Sequence, residues 1–168
     1  FFSIKIFNSF INTLDDRVEY TTFHDSGNGN INDHFLSNKN VNKVSVKGGN
    51  GAQSFLNLLN FVMDDKCEDE DIIYFLEDDY LHKPGWIDIL LEGFEYIGAD
   101  YYTLYDHPDK YYLPMYENLT DKIIATPSIH WRTTPSTTNT YACKFKTLKK
   151  HFNIHVQYCD LGAGWVKD

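Results

Sequence analysis

The stretch "DIIYFLEDDYLHKPGW", Asp71 to Trp86, decides how the chain is read. Five apolar or aromatic residues, Ile72 to Leu76, run into three carboxylates, Glu77, Asp78 and Asp79, and a proline and a tryptophan follow. A continuous apolar run of this length predicts a central strand buried on both faces, which therefore lacks alternation. Pro84 then stands where a helix would have its first residue, a position that tolerates a missing N–H. Ile87, Leu90, Leu91 and Phe94 supply that helix with a buried face at helical spacing.

Outward from this strand the chain alternates. Phe7, Phe10, Ile11 and Leu14 fall at i, i+3, i+4 and i+7 and predict an amphipathic helix. Arg17 to Phe23 is β-prone and ends at "HDSGNGN", a turn-forming cluster. Lys43 to Lys47 reads as a short strand that meets "GGNG" (Gly48 to Gly51), after which Phe55, Leu58, Leu59 and Val62 form a second helical stripe. "ADYYTLYDH" and Lys122 to Thr126 read as further strands. This order predicts an α/β domain with a mainly parallel central sheet flanked by helices. In such sheets ligands sit beyond the carboxyl ends of the strands. Asp25, the GGNG turn and Glu77-Asp78-Asp79 all fall at such ends and are expected to share one edge.

The bulk numbers set limits. A chain of 168 residues is read as one domain, with 42% hydrophobic and 23% charged residues, a globular balance. No apolar run reaches the roughly 18–20 residues of a transmembrane helix, and no basic-then-apolar signal segment opens the chain. The abrupt start at "FFSIKIFNSFINTL" suggests a piece of a longer protein that lacks at least a first strand. A net charge of −9 argues against nucleic acid as a partner, since phosphate backbones need a basic surface. Cys67, Cys143 and Cys159 lack metal-site spacing, which leans toward a reducing, cytoplasmic compartment.

On an extended chain Glu77 and Asp79 would share a face and Asp78 would point away, unless the strand has already turned. Carboxylates crowded at a strand end repel one another unless a cation offsets them. Hard oxygen ligands suit Mg²⁺ or Mn²⁺, and one or two carboxylates plus substrate phosphates are the usual set. One reading is therefore a metal–diphosphate site. The other is that Asp78 and Asp79 favour the N-terminus of the next helix through its dipole.

"IIYFLEDDYLHKPGWIDILLEGF" resembles the central motif of GT-A-fold glycosyltransferases of the family 2 type, in which an apolar strand ends in an Asp-x-Asp-like motif. "YTTFHDSGNG" resembles that family's second strand and its turn, and "VKGGNGAQSFLNLLNFV" its Asn-x-Gly turn and following helix. The three motifs keep the family's order over Arg17 to about Phe94. The first acid here is Glu rather than Asp, the family's first strand is missing, and most of the chain from Asp100 onward aligns with no motif. The resemblance implies a GT-A domain with a nucleotide-binding half (residues 1–99) and an acceptor-binding half (100–168). It implies that Asp79 binds Mn²⁺ or Mg²⁺ and that Glu77 or Asp78 contacts ribose or bound water. Asp25 would contact the nucleoside, with Asn50 and Gly51 near the base. The expected activity is transfer of a sugar from a nucleoside-diphosphate sugar to a carbohydrate or other hydroxyl acceptor, with inversion. Alternatives are a metal-dependent phosphoesterase or nucleotidyltransferase, and a non-catalytic carbohydrate-binding module.

Inverting transfer needs a base for the acceptor hydroxyl. In the family this acid lies at the start of a later helix, which implies Asp160 first and Asp168 second. Asp160 follows what reads as a strand end and is equally a turn acid before Gly162. Asp106 and His107 would line the acceptor side, or His107 would neighbour the metal; otherwise His107 is a solvated loop histidine. Trp131 and Arg132 would offer a sugar-stacking face and a phosphate contact. Otherwise they belong to a polar hairpin with Trp131 in the core.

Overall fold

The computed structural model describes residues 2–25, 34–137 and 140–160. It divides into two compact units that interleave along the chain. The first comprises residues 1–15 and 72–144, the second residues 16–71 and 145–168.

In the first unit, helix α1 (Phe2–Ile11) precedes strand β3 (Ile72–Phe75), helix α3 (Trp86–Tyr96) and strands β4 (Ile123–Ala125), β5 (His130–Arg132) and β6 (Tyr141–Lys144). β3 pairs antiparallel with β6, Ile72 opposite Lys144 and Phe75 opposite Tyr141. On its other side β6 meets Tyr102, which exchanges both backbone hydrogen bonds with Ala142 at 2.9 and 2.7 Å. The strand expected in "ADYYTLYDH" is thus a single bridge residue. β6 thus has neighbours on both sides, and Tyr141, Ala142 and Cys143 are buried. β3, expected to be central, is half-buried except at Phe75. The short apolar run of β6 follows a Thr-rich stretch and carries no pattern of its own that marks it as central.

α3 begins at Trp86, capped by Gly85 at φ 83°. Pro84 therefore lies before the cap rather than at the first helical position. Trp86, Ile87 and Leu90 are buried, the period expected of a core-facing stripe. β4 and β5 form an antiparallel hairpin with Ile123 opposite Arg132.

The second unit carries the parallel pair, β1 (Thr22–Asp25) beside β2 (Lys43–Val46), in register Thr22 to Lys43 and Asp25 to Val46. Helix α2 (Gly51–Asp64) follows, and Phe61 on it meets Phe23 of β1 edge-on at 4.8 Å. Helix α4 (Phe145–Asp160) packs on α2, with Leu59 and Leu148 both fully buried and Phe55 against His155. The acidic loop before β3 serves the start of α4. Asp71 and Asp69 carbonyls accept from Phe145 and Lys146 N–H at 2.8 and 3.1 Å, satisfying donors a helix start leaves open. Lys146 pairs with Glu70 and Lys149 with Asp69. Where one mainly parallel sheet was expected, the described residues form three separate two-stranded sheets, one parallel and two antiparallel.

Candidate functional site

β3 stops at Phe75, so the three acids lie beyond it and the strand's alternation does not reach them. Glu77 is half-buried, and its N–H donates to Thr140 Oγ1 at 3.3 Å. Asp78 and Asp79 occupy an exposed turn. Asp79 lines a cleft of about 340 Å³ together with Tyr80, Leu81, Tyr105 and His107. The Tyr80 and Tyr105 rings meet edge-to-face at 4.8 Å, and Tyr105 meets His107 at 5.6 Å and 83°. The helix-dipole reading of Asp78 and Asp79 does not hold. α3 starts seven residues after Asp79, and Asp88 is the acid in its first turn.

His107 enters the cleft from the start of a 3-10 turn, Pro108–Tyr111. Its Nδ1 lies 2.9 Å from Asp109 Oδ1 and 3.3 Å from the Asp109 N–H. Lys110 Nζ lies 3.0 Å from the same Asp109 oxygen and 5.3 Å above the Tyr116 ring, its side chain only 2% exposed.

Asp106 faces elsewhere. It accepts from Arg132 and from the Tyr111 hydroxyl, while Asp121 takes the other arm of the guanidinium. The Arg132 hydrogen bond holds the Asp106 carboxyl below the usual carboxylate range, and the pair holds Arg132 more firmly protonated. Two carboxylates on one guanidinium leave the cluster net negative, so Arg132 is engaged internally rather than presented to a phosphate. Trp131 packs edge-on against Tyr102 at 5.8 Å and over Gly93 of α3, in the hairpin-and-core arrangement that was the alternative reading.

In the second unit Asp25 accepts from the Gly48 N–H at 3.3 Å and from Ser54 Oγ. Asn50 caps α2, its Oδ1 accepting from the Gln53 N–H at 2.9 Å, and Gly51 is the first helical residue. These three sequence-predicted residues come together as the closure of one strand–turn–helix. Asp160, expected after a strand and at a helix start, instead stands at the end of α4. Ile154 and Val156 imitate strand alternation, but Phe145, Leu148 and Phe152 keep the helical period. Ile154 is accordingly exposed. Asp168 lies outside the described residues.

The structure thus brings Asp79 and His107 to one cleft, Asp106 and Arg132 to an ion-pair cluster, and Asp25, Asn50 and Gly51 to the start of α2. Sequence reasoning missed Tyr80, Leu81 and Tyr105 as lining residues, and Asp109 and Lys110 behind His107. The i, i+2 spacing of His107 and Asp109 around a proline was the available signal.

Among the described residues no group of three or more His, Cys, Asp or Glu converges as a ready-made metal site. A divalent cation at the cleft would have the Asp79 carboxylate, with further oxygens from a diphosphate and water, a set that suits Mg²⁺. No described helix is long and apolar enough to cross a membrane. Compared with models of protein families, with curated proteins and with solved structures, the chain returns no match.

Proposed function

We propose that the chain is a metal-dependent glycosyltransferase that moves a sugar from a nucleoside-diphosphate sugar to a hydroxyl acceptor, with inversion. One observation carries the reading. Asp79, expected to hold the cation, and His107, expected on the acceptor side, line the same cleft although they lie in separate loops. The motif order along the chain supports it further.

In this reading Asp79 orients the donor's diphosphate end at the mouth of the cleft. Tyr80 and Tyr105 offer aromatic surface to a sugar ring. When bound, Mn²⁺ or Mg²⁺ supplies charge neutralisation for the departing nucleoside diphosphate. This also reconciles a protein of net charge −9 with an anionic donor. The resemblance assigns the nucleoside to Asp25, at the end of β1, and to Asn50 and Gly51, at the start of α2. Glu77 and Asp78 flank Asp79 as the ribose- or water-contacting acids.

The aromatic pair beside Asp79 equally favours a second reading, a carbohydrate-binding module without catalysis. Calorimetry with UDP- and GDP-sugars, with and without Mn²⁺, separates the two. The transferase reading expects Mn²⁺-dependent binding of one nucleotide sugar, at least 100-fold weaker in Asp79→Ala, and turnover that this variant abolishes. Tight metal-dependent binding that survives in Asp79→Ala would overturn the assignment. Oligosaccharide binding that ignores Mn²⁺, with no nucleotide affinity, would favour the module.

A further inference from the structure

We propose that Tyr111 is a stacking platform for an uncharged oligosaccharide, holding the sugar unit next to the one that enters the cleft. For its role the platform rests on the transferase reading above, in which this oligosaccharide is the acceptor.

Tyr111 is fixed at two points. Its hydroxyl donates to Asp106 Oδ2, and one face of the ring lies over the Arg132 guanidinium, whose carbon is 5.3 Å from the ring centre. Asp106 and Asp121 hold that guanidinium in turn. Tyr111 is nonetheless 70% exposed, so the opposite face of the ring is open to solvent. An exposed side chain ordinarily loses rotamer freedom when a ligand settles on it, and a ring already held loses little. The sugar-stacking face expected of Trp131, which packs in the core, is offered instead by the ring that covers Arg132.

The platform continues from the cleft. His107 lines the cleft and stands directly before the 3-10 turn Pro108–Tyr111. Such a turn rises about 2 Å per residue, so it carries the backbone roughly 8 Å onward to Tyr111. Two linked sugar rings span that distance, one beside Tyr80 and Tyr105 and the next on Tyr111. Asp106 adds a polar contact at the platform. A carboxylate offers about four lone-pair sites. Arg132 Nε and the Tyr111 hydroxyl share Oδ2, and Arg132 Nη2 takes Oδ1. Oδ1 can therefore accept a further hydrogen bond, and the side chain is half exposed. A sugar hydroxyl suits that oxygen, as the sugar's C–H face suits the aromatic ring.

Charge restricts the class of ligand. Residues 105–121 carry Asp106, Asp109, Glu117 and Asp121 against Lys110. Lys110 is buried on Asp109, and Arg132 already serves two carboxylates. A phosphate or a uronic acid on Tyr111 would meet like charge, and a neutral sugar would not. Tyr112 and Met115 are exposed as well, and tyrosine and methionine are also common in protein interfaces. The centre of such an interface is depleted of charge, however, whereas Tyr111 lies directly on the Arg132 ion-pair cluster. These surroundings fit a polar, uncharged ring better than the apolar face of a protein.

The test titrates the full chain with malto-, cello-, manno- and chito-oligosaccharides, from mono- to tetrasaccharides, and with oligogalacturonides as the charged counterpart. In at least one neutral series, binding should tighten about fivefold or more from monosaccharide to disaccharide. Tyr111→Ala should erase that gain, and Tyr111→Phe, which keeps the ring, should retain most of it. Aromatic ¹H–¹³C spectra of the wild type supply a readout that needs no truncated side chain. The Tyr111 ring signals, assigned by their loss in Tyr111→Phe, should move with the disaccharide and not with the monosaccharide. No gain in any neutral series, or a gain that Tyr111→Ala leaves intact, overturns the platform. Oligogalacturonides bound as tightly as the neutral series overturn the ligand class. Self-association that Tyr111→Ala abolishes, with no oligosaccharide bound, would make the patch an interface between copies and overturn the proposal. Mn²⁺-dependent turnover of a nucleotide sugar without the disaccharide gain sinks the platform and leaves the transferase reading standing. A Tyr111-dependent gain without nucleotide-sugar binding upholds the platform and overturns the transferase reading beneath it.

Discussion

Gly48 shows how a single missing side chain sets the turn after β2. A Cβ there would lie 2.0 Å from Ser54 Oγ, 2.7 Å from the Ser54 backbone N and 2.8 Å from Asp25 Oδ2. The hydroxyl can rotate away, but the backbone nitrogen of α2's first turn cannot. Gly48→Ala should therefore destabilise the chain by about 1–3 kcal/mol, read as a lower urea midpoint. Adding Ser54→Ala should restore only part of the loss, and full restoration would show that the hydroxyl alone was in the way. At this scale the sequence was informative where a residue type carries its own chemistry. Asp25, Asp79 and His107 were all legible as polar groups at or near turns. Arg132 was not, because Asp106 and Asp121, which engage it, are brought to it by the fold and not by sequence neighbours. Trp131 was undecidable for a related reason, since only the position of Tyr102 and Gly93 makes it a packing residue.

Among the elements, α1 depends on one buried histidine. Ile6 is buried, and Phe10 packs against His82 at 5.2 Å and Trp86 at 5.9 Å. Ser9 Oγ donates to the His82 carbonyl at 2.9 Å, and Trp86 Nε1 donates to Thr13 Oγ1 at 3.0 Å. The His82 imidazole itself meets the Tyr74 hydroxyl through Nε2 at 3.1 Å. Burial pushes His82 below its ordinary 6.5, more than its hydrogen bond to the Tyr80 backbone pushes it up. The folded state thus favours the neutral ring, and the unfolded chain binds the proton first. Stability from this group is complete above about pH 6.5 and is lost as pH falls below it toward the depressed folded value. The urea midpoint should accordingly drop between pH 7.5 and 5.5 in the wild type. His82→Phe should cost stability at pH 7.5, because Tyr74 loses its partner, yet show a smaller drop. An equal drop in both would assign the effect to other groups, with His155, also depressed by burial, the first to test. Helical stripes were legible at this scale. The i, i+3, i+4 spacing located α1, α2 and α3, while α4 was hidden because β-branched Ile154 and Val156, two residues apart, imitate the alternation of a strand.

Across the whole chain, strand partnership was the least legible feature. The alternating order of elements suggested a mainly parallel sheet, and among the described residues β1 and β2 are the parallel pair. β3 takes as partner a strand from much later in the chain, a choice made by tertiary packing that no local period records. The same long-range logic governs the second unit, which residues 16–71 begin and α4 completes. Leu59 of α2 and Leu148 of α4 are both fully buried, and burying a leucine stabilises by roughly 1.5–3 kcal/mol. Phe145 and Thr147 are buried beside them, and the α4 start takes up the carbonyls of Asp69 and Asp71. Removing α4 therefore takes away a wall of this core. A chain ending at Lys144 should lose hydrogen-exchange protection throughout α2 and become cleavable between residues 51 and 64. If α2 amides in the truncated chain exchange as slowly as in the full chain, the second unit does not depend on α4 for its stability. The packing of Leu59 against that helix would then be contact without consequence.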